Sequence, residues 1–319
     1  MKRLPRLTLL LITAFVLSLV SGKVWIAPAM WFTDTPDGWI MAELRLPRAI
    51  LGMLIGAALG LSGAVLQGYL RNPLADPTVV GVSSSAALGG VLAISFGATA
   101  LPFGLFGCAM AGAAASMALL ALMANRAGGT LGFILGGVVL STLSGSLTAL
   151  IISIAPNPFA SSEIISWLMG ALTDRGMDDV FHALPFITLG GILLASTGRA
   201  LDALTLGEAV AISMGVDLRR LQWRIVAGVG LCVGASVAVS GVVGFVGLIV
   251  PHVIRSFLGE QPSKLLIPSA IGGAILTLTA DSVVRLIPGP GEVRLGIAMT
   301  AIGAPFFLAI LMRQRGKML

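Results

Sequence analysis

Long uncharged stretches separated by short charged joints dominate the chain. Residues 77–125 hold no Asp, Glu, Lys or Arg, and similar runs recur at 49–70, 127–162, 180–198, 225–254 and 295–312. A hydrocarbon bilayer core about 30 Å thick takes roughly 20 apolar residues of helix to cross. Charge at its centre costs several kcal/mol, so charged residues mark where a chain leaves it. The pattern predicts ten spans, near residues 7–27, 47–70, 79–95, 103–125, 131–154, 179–197, 222–240, 244–258, 265–286 and 293–312. The run at 77–125 exceeds one crossing, and Gly97 to Gly104, with Pro102, supplies its turn. The fold class is therefore an all-α polytopic membrane protein of about ten transmembrane helices, a single transmembrane domain over residues 1–319.

Composition sharpens this. The 319 residues are 56% hydrophobic and 11% charged, with mean hydropathy +1.00. Soluble domains are normally about 25% charged. The net charge of +6 is dispersed among spans, which argues against nucleic acid. Lys2, Arg3 and Arg6 before an apolar run resemble a secretory leader, but many spans follow, so an uncleaved first helix is the better reading. With both termini inside, fourteen of the 20 Lys and Arg residues fall in cytoplasmic segments. Only Lys23, Arg45, Arg48, Arg175, Arg285 and Arg294 fall outside. The positive-inside rule thus predicts cytoplasmic termini.

Candidate chemistry is sparse. Cys108 and Cys232 sit in apolar runs and read as small packing residues. His182 and His252 are far apart and read as structural, and nothing resembles a metal ligand set. Gly52, Gly56 and Gly60, Gly132 with Gly136, and Gly230 with Gly234 repeat at spacings that let helix backbones touch. Two segments lie outside the spans. Residues 155–179, on the outer side, carry a short helical pattern at 161–172, capped by Ser161 or Ser162. Residues 199–224 form the longest cytoplasmic segment, in which Leu204, Leu206, Ala209, Ile212 and Met214 line one face of short helices.

Several motifs then occur in a characteristic order. RLPR spans Arg45–Arg48, and GAALGLSGAVLQGYLRNPLADPTVVGVSSSAALG spans Gly56–Gly89. LGEAVAISMGV follows at Leu206–Val216 and GFVGLIVPHVIR at Gly244–Arg255. Ala280–Asp281, Val284–Arg285 and LGIAMTAIGAPFF at Leu295–Phe307 complete the set. Over nearly its whole length the chain resembles FecCD-type permeases, the membrane subunits of bacterial ABC importers for iron-siderophores, haem and cobalamin.

The resemblance implies a dimer of ten-span subunits in the bacterial inner membrane, homo- or heteromeric, with the pathway on its axis. A cytoplasmic ABC ATPase dimer drives it, and a periplasmic substrate-binding protein delivers the chelate. The chain has no Gly-x-x-x-x-Gly-Lys-Ser/Thr loop, so ATP and Mg belong to the partner ATPase and this subunit is neither an enzyme nor a cofactor carrier. The expected cargo is a ferric siderophore or haem, with cobalamin second. An ion-coupled secondary transporter would need buried ionisable groups, and Asp281 is the sole candidate.

The resemblance also assigns roles. Within the coupling segment, about 199–222, Leu206, Gly207, Glu208, Ala209, Gly215 and Arg219 contact the ATPase. Arg45, Arg48 and Arg285 dock acidic side chains of the binding protein. An arginine at 294 replaces the proline usual in the family's Glu-Leu-Pro and adds a fourth docking cation. The alternatives are interfacial snorkelling for Arg45 and Arg48 and a local pair with Asp281 for Arg285. The fifth span lines the pathway with Ser141, Thr142, Ser144, Ser146 and Thr148, an uncharged wall suited to a weakly specific conduit. Helix packing is the alternative for each of these.

Overall fold

A computed structural model of the chain describes residues 4–31, 33–78, 80–126, 130–288 and 291–315. These residues form helices and connecting turns, with no strand among them. In order they are α1 (Leu4–Val20), α2 (Pro36–Trp39), α3 (Leu46–Tyr69), α4 (Val82–Ser95), α5 (Gly104–Arg126), α6 (Thr130–Ser153) and α7 (Pro158–Leu168). Then follow α8 (Met177–Ala195), α9 (Gly198–Leu204), α10 (Glu208–Ser213), α11 (Leu218–Ser240), α12 (Val246–Leu258), α13 (Pro262–Leu286) and α14 (Leu295–Arg315).

Each of the ten predicted segments contains one of these helices. Six are long and apolar enough to cross a bilayer: Pro36–Tyr69, Gly104–Met123, Gly132–Ser153, Met177–Ala195, Leu218–Ser240 and Pro262–Leu286. Four more are apolar but shorter, namely Leu4–Val20, Val82–Ser95, Val246–Leu258 and Leu295–Ala309. At 1.5 Å per residue, the 14 residues of α4 cover about 21 Å, short of a full crossing. The turn before α4 folds inward: Ala75, Asp76 and Pro77 are buried and Val80 lies against Gly137 of α6. Irregular backbone is tolerated at such depth only where protein covers it.

Pro47 lies in the first turn of α3, where the second span is expected to begin. Helical structure also extends upstream to Pro36, where Thr35 Oγ1 accepts from Gly38 N, and passes through a π-helical stretch, Ile40–Arg45, into α3. The wider register there accommodates a proline that brings no N–H.

The α3 and α11 helices form the interior, each 78% buried over its apolar window, against 22% for α6 and 28% for α8. Small residues make the closest contacts. An added Cβ at Gly56 would overlap the Gly273 carbonyl, one at Gly60 the Ser269 carbonyl, and one at Gly63 the Gly247 carbonyl. Backbones of α3, α12 and α13 therefore touch. Gly230 and Gly234 instead receive side chains of α5, those of Met117 and Ala113. The glycine repeats thus serve helix packing. Gly273→Leu is expected to cost at least 1–3 kcal/mol of overpacking and to lower the thermal midpoint of the detergent-solubilised protein. An unchanged midpoint would contradict this contact.

Candidate functional site

The end of the bundle that carries the N-terminus of α3 and the C-terminus of α13 holds a recess of about 260 Å³. Arg45, Arg48 and Arg285 line it together, with Lys23, Arg175 and Glu292 at its walls. These three expected docking residues are largely buried and bonded within the chain. Arg45 is 7% exposed and donates to the carbonyls of Leu19 and Val20 at 3.1 Å, closing the end of α1 where carbonyls lack helical partners. Its other terminal nitrogen reaches the Val24 carbonyl.

Arg48 forms a forked pair with Asp281 (Nη2 to Oδ1, 2.8 Å; Nε to Oδ2, 3.0 Å) and donates to Glu292 Oε2 at 2.8 Å. Arg285 reaches Asp281 Oδ2 at 2.9 Å and also donates to Ser18 Oγ at 2.7 Å and the Ser21 carbonyl at 3.0 Å. The local pair with Asp281 that competed with docking for Arg285 is therefore present. One 2%-exposed carboxylate sits between two guanidiniums, an arrangement stable only because every charge is hydrogen-bonded. Burial pushes the Glu292 carboxyl up, but its hydrogen bond and attraction to Arg48 outweigh this and hold it below its usual value. Its ion pair is thus intact at neutral pH and is lost only as pH falls through that lowered value.

Arg294 stands apart, in a neighbouring cavity of about 330 Å³ with Glu163, Ser166, Trp167 and Asp174. It donates to Ser166 Oγ at 2.6 Å and forms no ion pair among the described residues.

The predicted pathway residues separate into two groups. Ser141 hydrogen-bonds Ser84 at 3.1 Å, and buried Ser144 bonds Ser85 at 2.9 Å, so both stitch α6 to α4. Helix packing, the alternative to a pathway role, is thus present at both. Thr142 and Ser146 lie on the open side of α6, beside exposed Val139, Leu143 and Leu147, and Thr148 is half-buried. The short helix after this span is α7, capped by Asn157 Oδ1 accepting from Ala160 N at 2.9 Å rather than by Ser161 or Ser162.

A larger cavity, about 780 Å³, opens between the 74–78 turn, the Phe245 turn and α14. Leu74, Met169, Val242, Phe245, Ile297 and Phe307 make it mainly apolar, and Asp76 is its one ionisable lining residue. Asp76 is 3% exposed and accepts from Thr78 N at 2.8 Å and from Thr78 Oγ1, and its carboxylate packs against Gly247 of α12. Sequence reasoning gave Asp76 no role; its signal was a lone acid between the polar turn at 71–73 and the long uncharged run.

At the opposite end, α9 and α10 stand between α8 and α11. Leu206, Glu208, Ala209, Gly215 and Arg219 are exposed there and Gly207 is half-buried. Gly207 (φ +104°) and Gly215 (φ +85°) bracket α10 in backbone regions that side chains disfavour. Leu206, Val210, Ile212 and Met214 are each at least 42% exposed, a grouped apolar patch of the kind a partner covers. Leu204, expected on that face, is instead buried.

Six helices long and apolar enough to cross a bilayer, four shorter apolar ones, a charged recess at one end and an exposed helix pair at the other are the layout of a polytopic membrane protein. More narrowly, the chain belongs to the FecCD transport family, whose family model matches residues 10–313. It is 38% identical over 308 residues to the vitamin B12 import system permease protein BtuC of Vibrio cholerae, covering 95% of this chain and 92% of that one. Identity to the hemin transport system permease protein HmuU of Yersinia pestis is 35% over 324 residues, covering 98% and 97%. A solved inward-facing metal-chelate type ABC transporter superposes with TM-score 0.89 at 33% identity, covering 98% of this chain and 99% of that one. The chain is thus an ABC importer permease, a multi-pass membrane protein of a class whose ATPase resides on separate subunits.

Proposed function

We propose that the chain carries a metal chelate across the bacterial inner membrane, through ten spans with both termini cytoplasmic, as one half of a permease dimer. The observation that carries this reading is the superposition of essentially the whole chain on a metal-chelate transporter. No cluster of three or more His, Cys, Asp or Glu residues fit to hold a metal ion occurs among the described residues, which favours cargo that arrives already chelated. Sequence reasoning put ferric siderophore or haem first and cobalamin second. The relatives named for vitamin B12 and hemin make the two macrocyclic chelates the first cargoes to test.

In this reading the helix pair at 198–213 seats in the ATPase, and the recess end receives the binding protein. A carboxylate of that partner enters the recess and competes with Glu292 for Arg48, while Arg294 supplies a separate contact. Reversing Arg45, Arg48 and Arg285 would break the fold, so Arg294→Glu is the cleaner test. It is expected to weaken binding-protein affinity about tenfold, chiefly through slower association at low salt. Unchanged affinity and salt dependence would remove Arg294 from the docking surface. The cargo is tested by purifying the tagged chain with its partners and measuring import of cyanocobalamin, haem and ferric siderophores in vesicles. Import of none of these would refute the proposed cargo class.

A further inference from the structure

The coupling segment is not a loose loop, and its attachment involves a residue that the proposed function leaves unused. Asp202, on α9, accepts from Ser263 N at 2.8 Å, Ser263 Oγ at 2.6 Å and Gln261 Nε2 at 2.8 Å. Ser263 is the second residue of α13, so the Asp202 carboxylate caps that helix from a different element and takes up an amide that the helix cannot satisfy itself. Burial pushes the Asp202 carboxyl up, but these hydrogen bonds and nearby Lys264 prevail and hold it below its usual value, so it is charged at neutral pH.

The same α13 runs 25 residues, about 37 Å, to the recess, where Asp281 and Arg285 lie in its last two turns. Along the way it is fused to α3 by the backbone contacts at Gly56, Gly60, Ser269 and Gly273. Helices in such contact slide poorly and move as one body. The other member of the pair also meets the coupling segment: Arg71, just past α3, lies 3.9 Å from Glu208 of α10. That exposed pair is weak, whereas the Asp202 clamp makes three short bonds.

We infer that Asp202 is the positioning residue that locks the coupling helices to the α3–α13 pair, making this pair the rigid strut between the ATPase contact and the docking recess. The inference rests on the proposed function, in which those two ends receive the two partners. Movement imposed on α9 and α10 is delivered to Asp281, Arg48 and Arg285 because the strut has no compliant joint at its Asp202 end.

The test uses the co-purified permease–ATPase complex in lipid nanodiscs. Val24, 56% exposed at the recess, is changed to cysteine in a Cys108→Ser background and labelled with an environment-sensitive fluorophore. ATP with vanadate should change the emission of the parent complex. Asp202→Ala should reduce that amplitude at least fivefold while the ATPase still co-purifies, and Ser263→Ala, which removes only the hydroxyl donor, should give an intermediate amplitude. Exchange of the Ser263 amide with deuterium should quicken in Asp202→Ala. A full-sized response in both variants overturns the strut. A parent complex that contains no ATPase overturns the proposed function itself. Should Asp202→Ala not assemble, Asp202→Asn, which keeps shape and one acceptor, decides the matter by the same readout.

Discussion

Replacing Asp281 with alanine is expected to destabilise the protein by about 3–5 kcal/mol, a large share of the roughly 5–15 kcal/mol that holds a typical fold together. The carboxylate is 2% exposed and lies 2.8 Å from Arg48 and 2.9 Å from Arg285. Removing it leaves two guanidiniums facing one another in a site that water scarcely enters. Arg48 keeps Glu292, and Arg285 keeps Ser18 and the Ser21 carbonyl, which argues for the lower end of the range. Asp281→Asn keeps the shape and isolates the charge. The measurement is the thermal midpoint of the monodisperse protein in detergent. Arg220→Ala is the control, because the Arg220–Asp217 pair is 81% and 49% exposed and worth well under about 1 kcal/mol. Equal midpoints for Asp281→Ala and Arg220→Ala would show that the recess network does not hold the fold.

Glu208→Trp and Gly215→Trp are expected to lower import roughly thirtyfold or more, the size of one lost interface contact of 2 kcal/mol. Glu208 is exposed on α10, so its replacement fits without disturbing the helix. Gly215 adds backbone strain, since its φ of +85° lies where a side chain costs about 1–2 kcal/mol. The two variants therefore separate a blocked contact from a distorted segment. Both are read by import and by ATPase co-purification. Survival of import and of coupled hydrolysis in both would take the ATPase contact away from this segment.

The bilayer makes much of the fold legible, because the cost of buried charge forces uncharged runs to coincide with helices. All ten segments contain one, and the α10 exposure pattern follows from its glycines and apolar positions. Partnering was harder to read. Arg45 and Arg48 look alike in RLPR, yet one closes α1 through carbonyls and the other pairs with Asp281, 233 residues away. Ser141 and Thr142 are adjacent, yet one faces α4 and the other the open side of α6. Such differences depend on which helix lies opposite, which no local pattern encodes. The place of Asp76 is hidden for the same reason: it is buried against Gly247 of another helix.

The central claim is that this subunit is a gate whose motor lies on another protein. The direct measurement is uptake of cyanocobalamin and haem into sealed vesicles. One set contains this chain alone, and the other contains the chain with its co-purified ATPase and the binding protein. The account predicts ATP-dependent accumulation against a gradient only in the second set, abolished by a non-hydrolysable nucleotide. Uphill accumulation by the chain alone, without nucleotide hydrolysis, would contradict it.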